Sequence, residues 1–246
     1  MKYISIFLCF TLFFSACKND SSKPETISED RTSEEATGNK RLNNKILSTP
    51  EAIAYKYGLE HWEGVKTLTF TFNVDRGSNH FERSFTWNPK TNDVEYRSES
   101  DTILYNRDAQ LDSLALSADQ KFINDSYWLL APYKLVWDTG TTFSDQKNVL
   151  APISKQELNK LTITYSDQGG YTPGDAYDLY YGNDFTIREW VFRQGNSEQP
   201  TMMTTWEDIE KVGRLKLATM HKDKTGNFKL YFTNISVEQE NAQPAQ

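Results

Sequence analysis

Three histidines, His61, His80 and His221, stand far apart in the chain, and no two have the H-x-x-x-H spacing that turns a pair of imidazoles toward one metal ion. With no cysteine to support them, each is expected in an ordinary surface or strand position, and no metal site or cofactor is expected. Nucleophilic and phosphate chemistry lack a signature as well: there is no G-x-S-x-G elbow, no P-loop and no dinucleotide-binding glycine pattern. Asp167, Asp175, Asp178 and Asp184 offer paired carboxylates of the kind that act as acid and base or hold calcium. They flank Gly169-Gly170 and Pro173-Gly174, so turn hydrogen bonding and loop solvation explain them better. A non-enzymatic chain is the expectation.

The aromatic residues carry more information. Phe70, Phe72, Phe85, Trp87, Tyr127, Trp128 and Trp190, with Trp137, Tyr177 and Phe192, are candidates to line an apolar ligand pocket. The alternative is that they fill a core, as aromatic side chains in β proteins usually do. Glu189 precedes Trp190 in a strand-like run where Arg188 and Glu189 must face opposite sides. A charge turned inward there needs a partner or a ligand head group, since an unpaired buried charge is costly. Asn124-Asp125-Ser126 reads as the polar side of a helix.

The elements that must position these residues are mostly strands. Ser48 and Glu51 have capping-box spacing, with Pro50 in the first turn, and predict a short helix through Tyr57 that Gly58 ends. From Lys66 the period becomes two: Leu68, Phe70, Phe72 and Val74 alternate with threonines and Asn73, and Phe81, Arg83, Phe85 and Trp87 alternate with Glu82, Ser84 and Thr86. Asn88 to Asp93 has turn chemistry, and Val94–Arg97 and Thr102–Asn106 follow as short strands. A second capping-box match, Ser117 to Gln120, predicts a helix carrying Phe122, Ile123, Tyr127 and Leu130, which Pro132 should end. Strands resume at Leu161–Tyr165, Tyr177–Tyr181, Phe185–Phe192, Met202–Trp206, Leu215–Met220 and Phe228–Val237, with hairpin turns at Gly182-Asn183-Asp184 and Thr225-Gly226-Asn227. About ten antiparallel strands in up-and-down order predict a mainly β fold: a strongly curved antiparallel sheet or incomplete β-barrel, with an N-terminal helix and an inserted helix packed on the concave side.

The chain opens on Met1-Lys2, an apolar run through Phe14, and Ser15-Ala16-Cys17, the three parts of a secretory signal peptide. The run is too short to span a bilayer, which takes about 20 apolar residues. Phe13-Phe14-Ser15-Ala16-Cys17 resembles the lipobox of bacterial lipoproteins, with phenylalanine where leucine is usual. The resemblance implies cleavage of residues 1–16 and lipidation of Cys17, and several acyl chains at about 0.8 kcal/mol per buried CH₂ would hold the protein on a membrane. The other cysteine, Cys9, lies inside the discarded run, so no disulfide is expected. Cleavage also removes one lysine, taking the net charge from −7 to −8. So acidic a domain is a poor match for a phosphate backbone, and no nucleic-acid partner is expected. Residues 17–47, rich in Ser, Thr, Glu, Asp, Asn and Lys, predict a disordered tether; 48–240 form the folded domain and 241–246 a polar tail.

Ala52 to Trp62, followed by Val65 to Phe70, resembles the opening of LolA-like (outer-membrane lipoprotein-sorting-like) domains, in which a helix with a Gly and a Trp leads at once into the first strand. Phe122 to Leu135 and Gly170 to Asp175 are similar to segments of a lipoprotein family of Bacteroidota. The likeness implies a half-open β-barrel whose hydrophobic concavity is covered by helices and accepts acyl chains or other lipids. Since a fold hosts many functions, it sets an expectation and not an assignment.

The expected function is therefore an outer-membrane-anchored lipoprotein that binds a lipid, acyl chain or other hydrophobic ligand, in envelope lipid or lipoprotein trafficking. The alternative is a non-enzymatic interaction module that holds an envelope protein or a glycan. Lys18 stands where an aspartate would retain many Gram-negative lipoproteins at the inner membrane, which favours the outer membrane, facing either the periplasm or the cell surface.

Overall fold

The computed structural model of the protein describes residues 45–167 and 173–240, together with the backbone at Arg41–Leu42. Cys17 and the leader before it, most of the tether, Gly169-Gly170 and the tail after Glu240 lie outside the described residues.

A two-stranded ladder of β1 (Arg41–Leu42) and β2 (Lys45–Ile46) precedes α1 (Thr49–Lys56). The capping box holds: the Ser48 backbone N–H and hydroxyl both donate to the Glu51 carboxylate, at 2.9 and 2.7 Å. Lys45 and Ser48 together hold that carboxyl down to about 2. Ser48→Ala removes one of these donors and should lower stability by about 1 kcal/mol in urea titration, whereas an unchanged midpoint would assign the cap to Lys45 instead. Gly58 ends the helix in the left-handed region, at φ 96°. A Cβ there would stand 2.7 Å from the Arg214 carbonyl oxygen, so the close approach of chain segments also requires glycine.

β3 (Val65–Arg76), β4 (Asn79–Asn88), β5 (Asp93–Arg97) and β6 (Thr102–Asn106) form the predicted meander. The turn between β4 and β5 is built as its residues foretell: Asn88 Oδ1 accepts from Lys90 N–H, and Asn92 sits at φ 59°. Then come α2 (Ser113–Trp137), β7 (Thr141–Leu150), β8 (Glu157–Tyr165), β9 (Ala176–Tyr181), β10 (Ile187–Arg193), β11 (Met202–Thr205), β12 (Glu207–Val212), β13 (Leu215–Lys222) and β14 (Phe228–Gln239). These strands make two antiparallel sheets. One has seven strands in the order β12-β13-β14-β3-β4-β5-β6, the other five in the order β11-β10-β9-β8-β7.

The fold is mainly β with two helices as expected, but two separate sheets stand in place of the expected strongly curved sheet or incomplete barrel. Among the described residues neither sheet closes, and the hydrogen-bond ladder divides at Trp206. The Trp206 N–H still pairs with the Arg188 carbonyl at 2.8 Å, while Glu207 already faces Met220 of β13. Between the sheets lies α2, whose Phe122 packs on Phe85 and Trp87 of one sheet and whose Trp128 packs on Trp190 of the other. A helix with side chains this large needs a layer of its own, and the strands divide to either side of it.

That helix is longer than its residues suggest. It begins at Asp112, whose carboxylate accepts from the N–H groups of Leu114 and Ala115, and not at the Ser117 to Gln120 box. It also runs through Pro132, which removes one backbone donor. Burial of Tyr133 and Leu135 beyond the proline, with the Tyr133 hydroxyl donating to the Tyr57 carbonyl at 2.6 Å, offsets that loss. β7 and β12 carry no alternating apolar residues because each is an edge strand largely exposed on both faces. Charges along them, and positive φ at Asn148 and Asp208, discourage pairing with another chain.

Tyr57 joins the layers. Its carbonyl accepts from Lys216 N–H of β13 as well as from Tyr133, and its hydroxyl accepts from Ile187 N–H of β10.

An aromatic cavity between two sheets

Alternation along β3 sends Leu68, Phe70 and Phe72 to one face, and their fates differ. Phe70 is fully buried against Phe85 and Phe232, with ring centroids 5.3 and 5.8 Å away. Phe72, two residues on, borders a cavity of about 1330 Å³ that is walled by the seven-stranded sheet, α2 and the five-stranded sheet. This is large beside the roughly 300–1,000 Å³ of common ligand sites.

The five-stranded sheet and α2 give the cavity an aromatic wall. Tyr177 of β9 stacks on both Trp190 and Phe192 of β10, at 5.4 and 5.2 Å. From α2, Tyr127 lies 4.9 Å from Tyr177 and Trp128 lies 4.3 Å from Trp190. Trp190 is buried, and its indole Nε1 has no hydrogen-bond partner among the described residues. Of the seven ligand candidates, Phe72, Tyr127, Trp128 and Trp190 border the cavity. Phe70, Phe85 and Trp87 do not: the first two are sealed in the core, and Trp87 packs on Phe122 and Trp62.

Charged groups that the aromatic pattern did not single out complete the wall. Arg83 occupies an inward position on β4, between Phe81 and Phe85, and an inward charge in an apolar alternation is the signal that could have marked it. Its Nε and Nη2 donate to Asp125 Oδ2 and Oδ1 at 2.5 and 2.6 Å. Asp125 is completely buried, so Asn124-Asp125-Ser126 is not simply the polar side of a helix: only Asn124 is exposed. The pairing is possible because α2 crosses β4 at this level. Burial works to push the Asp125 carboxyl up while Arg83 pulls it down. Both oxygens accept, which is the behaviour of the ionised form.

Arg107, in the turn after β6, and Lys134, Asp138 and Tyr165, toward the end of α2, also border the cavity. Arg107 donates to Asp119 at 2.7 Å, and the Tyr165 hydroxyl donates to Asp138 Oδ2 at 2.6 Å. Lys134 stands 3.7 Å from Asp138 Oδ1, beyond good hydrogen-bond range. Burial pulls the Lys134 ammonium below the usual lysine value, and the nearby Asp138 carboxylate works against that pull.

The other sequence candidates lie elsewhere. Glu189 is buried on the far side of β10 from Trp190, where its two oxygens accept from the N–H groups of Ile153 and Ser154 at 2.7 and 2.8 Å, so it secures a turn and does not border the cavity. Asp175 accepts from Gly195 N–H, Asp178 pairs with Arg193, and Asp184 bonds Thr186 in the β9–β10 turn. His221 is packed in the core, while His80, half exposed, borders the cavity and stands between Asp75 and Glu82. Among the described residues no three His, Cys, Asp or Glu side chains converge as a metal site would require. No described helix is long and apolar enough to cross a membrane.

No family model matches this chain, and no curated protein matches it. Solved structures do resemble it. A DUF1329 family protein from Desulfovibrio piger is 7% identical, with a TM-score of 0.43 over 77% of this chain and 92% of its own. A LolA superfamily protein from Nitrosomonas europaea is 11% identical, with a TM-score of 0.45 over 79% and 96%. A domain named for outer membrane lipoprotein sorting, from Vibrio parahaemolyticus, is 11% identical, with a TM-score of 0.44 over 78% and 94%. The chain is thus similar in structure, at low sequence identity, to LolA superfamily and DUF1329 proteins.

Proposed function

We propose that this protein holds a hydrophobic ligand, a lipid or acyl chain, in the cavity between its two sheets while Cys17 anchors it to the outer membrane. The cavity carries the reading: about 1330 Å³ of space bordered by stacked aromatic rings, in a chain most of whose other described aromatic residues pack a core. Apolar walls with a few fixed polar groups are what small-molecule sites usually present. Binding without catalysis accords with the aspartates, which are engaged in turns and ion pairs. A role in moving or retaining envelope lipids or lipoproteins follows from an anchored binder of such ligands. An interaction module asks for a filled interior with an exposed apolar patch, and a ligand-sized cavity weighs against it.

Native mass spectrometry with lipid extraction, on the chain from Lys18 onward, should find a co-purified lipid or saturable uptake of a fatty acid. Ile123→Trp adds bulk where α2 borders the cavity and should weaken that uptake by about tenfold, near 1.4 kcal/mol. A protein that takes up neither fatty acid nor phospholipid sinks the proposal.

A further inference from the structure

The chain as a whole is acidic, at −7, yet among the described residues the charged side chains on the cavity are mostly basic: Arg76, Arg83, Arg107 and Lys134 border it against a single carboxylate, Asp138. Asp125 and Asp119, which hold Arg83 and Arg107, do not border the cavity. They fix the two guanidinium groups from outside it.

Lys134 is placed differently. Its nearest carboxylate oxygen is 3.7 Å away, and the other oxygen of Asp138 is already taken by Tyr165 at 2.6 Å. A largely buried ammonium has three donors to satisfy, and leaving them poorly met is costly. Burial holds the Lys134 ammonium below the usual lysine value, against the upward pull of Asp138. An ammonium with poorly met donors beside an aromatic wall is stabilised by an oxyanion placed against it.

We infer that the ligand is an anionic amphiphile, whose carboxylate or phosphate head group lies on Lys134 among the cavity's cations and whose apolar part lies against the wall formed by Tyr127, Tyr177 and Phe192. This rests on the cavity being the binding site and adds the class of ligand it takes. Neutral lipids lack the group that these cations recognise.

Palmitate, hexadecyl phosphate and hexadecanol share a chain and differ in head group, so titrating each into the chain from Lys18 onward separates the two claims. At least one of the two anions should bind about tenfold more tightly than the alcohol, the scale of a charge-assisted hydrogen bond, and the tighter of them identifies the head group. Lys134→Met and Lys134→Gln should each abolish that preference while leaving hexadecanol binding within roughly twofold, and Lys134→Arg should restore it. A thermal melt of each variant separates lost recognition from lost folding, and Lys134→Gln, which keeps a polar tip, serves if the methionine variant folds poorly. If hexadecanol binds as tightly as both anions, or if the preference survives in both neutral variants, the inference is overturned and the hydrophobic site stands. If none of the three binds, the site itself is overturned.

Discussion

Asp125→Ala should lower the stability of the domain by about 3–5 kcal/mol, because it leaves the Arg83 guanidinium at the cavity wall without its only ion-pair partner among the described residues. Asp125 is fully buried, and the Arg83 side chain is only 13% exposed, so water can do little to replace the lost carboxylate. The loss is a large share of the roughly 5–15 kcal/mol that holds a typical domain folded. The pair's net contribution is a different quantity. Removing two charges from water costs several kcal/mol, which their attraction repays only in part, so Arg83→Met combined with Asp125→Leu should recover most of the stability lost in either single variant. Urea denaturation of the four proteins completes a double-mutant cycle. Additive single losses would mean that the two side chains act independently, contrary to their two short parallel hydrogen bonds. The cycle also bears on the cavity, since Asp125 fixes where Arg83 stands on its wall.

His221 gives the second large effect, and it depends on pH. The residue is wholly buried among Trp206, Trp128 and Phe232, at centroid distances of 4.2, 5.4 and 6.2 Å. Burial pushes its imidazole down to about 3, against a weak upward influence from the Thr205 carbonyl 3.4 Å from Nδ1. The folded protein therefore keeps His221 neutral over a range in which the unfolded chain, with a histidine near 6.5, takes up a proton. Stability from this residue is complete above about pH 6.5 and falls as the pH drops toward 3, at up to roughly 1.4 kcal/mol per pH unit.

The upper part of that window lies above the range where the depressed carboxyls of Glu51 and Asp184 begin to lose their contribution. His80 works in the opposite direction, because Asp75 and Glu82 raise it, so its contribution is present in acid and lost as the pH climbs through its folded value. Comparison with His221→Phe isolates the buried ring. Urea midpoints measured from pH 7.5 to pH 4.5 should converge and then cross as the medium becomes acidic if the phenylalanine is slightly destabilising at neutral pH, and should diverge if it is not. Parallel profiles would show that His221 is not the group that titrates.

What could be read from the residues in order was whatever depends on neighbours in the chain. Alternation of Leu68, Phe70, Phe72 and Val74 made β3 a strand with one buried face, Ser48 and Glu51 fixed the start of α1, and Asn88 to Asp93 and Thr225 to Asn227 fixed turns. Each follows from a period, a cap or a backbone preference that a few residues set among themselves. β7 and β12 escaped because exposed edge strands show no inward period, and α2 ran past Pro132 because burial at Tyr133 and Leu135 is a tertiary gain that a local rule omits.

The candidate site divides in the same way. Its aromatic members were visible in the sequence, but Phe70 and Phe72 obey one alternation and only the layer opposite them decides that the first meets a packed ring and the second an open cavity. Arg107 lies in the turn after β6 and Lys134 on α2, and nothing in their order foretells that both border one space. The sequence by itself determined a mainly β chain with two helices and a surplus of aromatic side chains. The tertiary structure decided that the strands divide into two sheets around α2, which side chains seal the core and which charges face the cavity, because packing between distant segments sets those distances and no local interaction does.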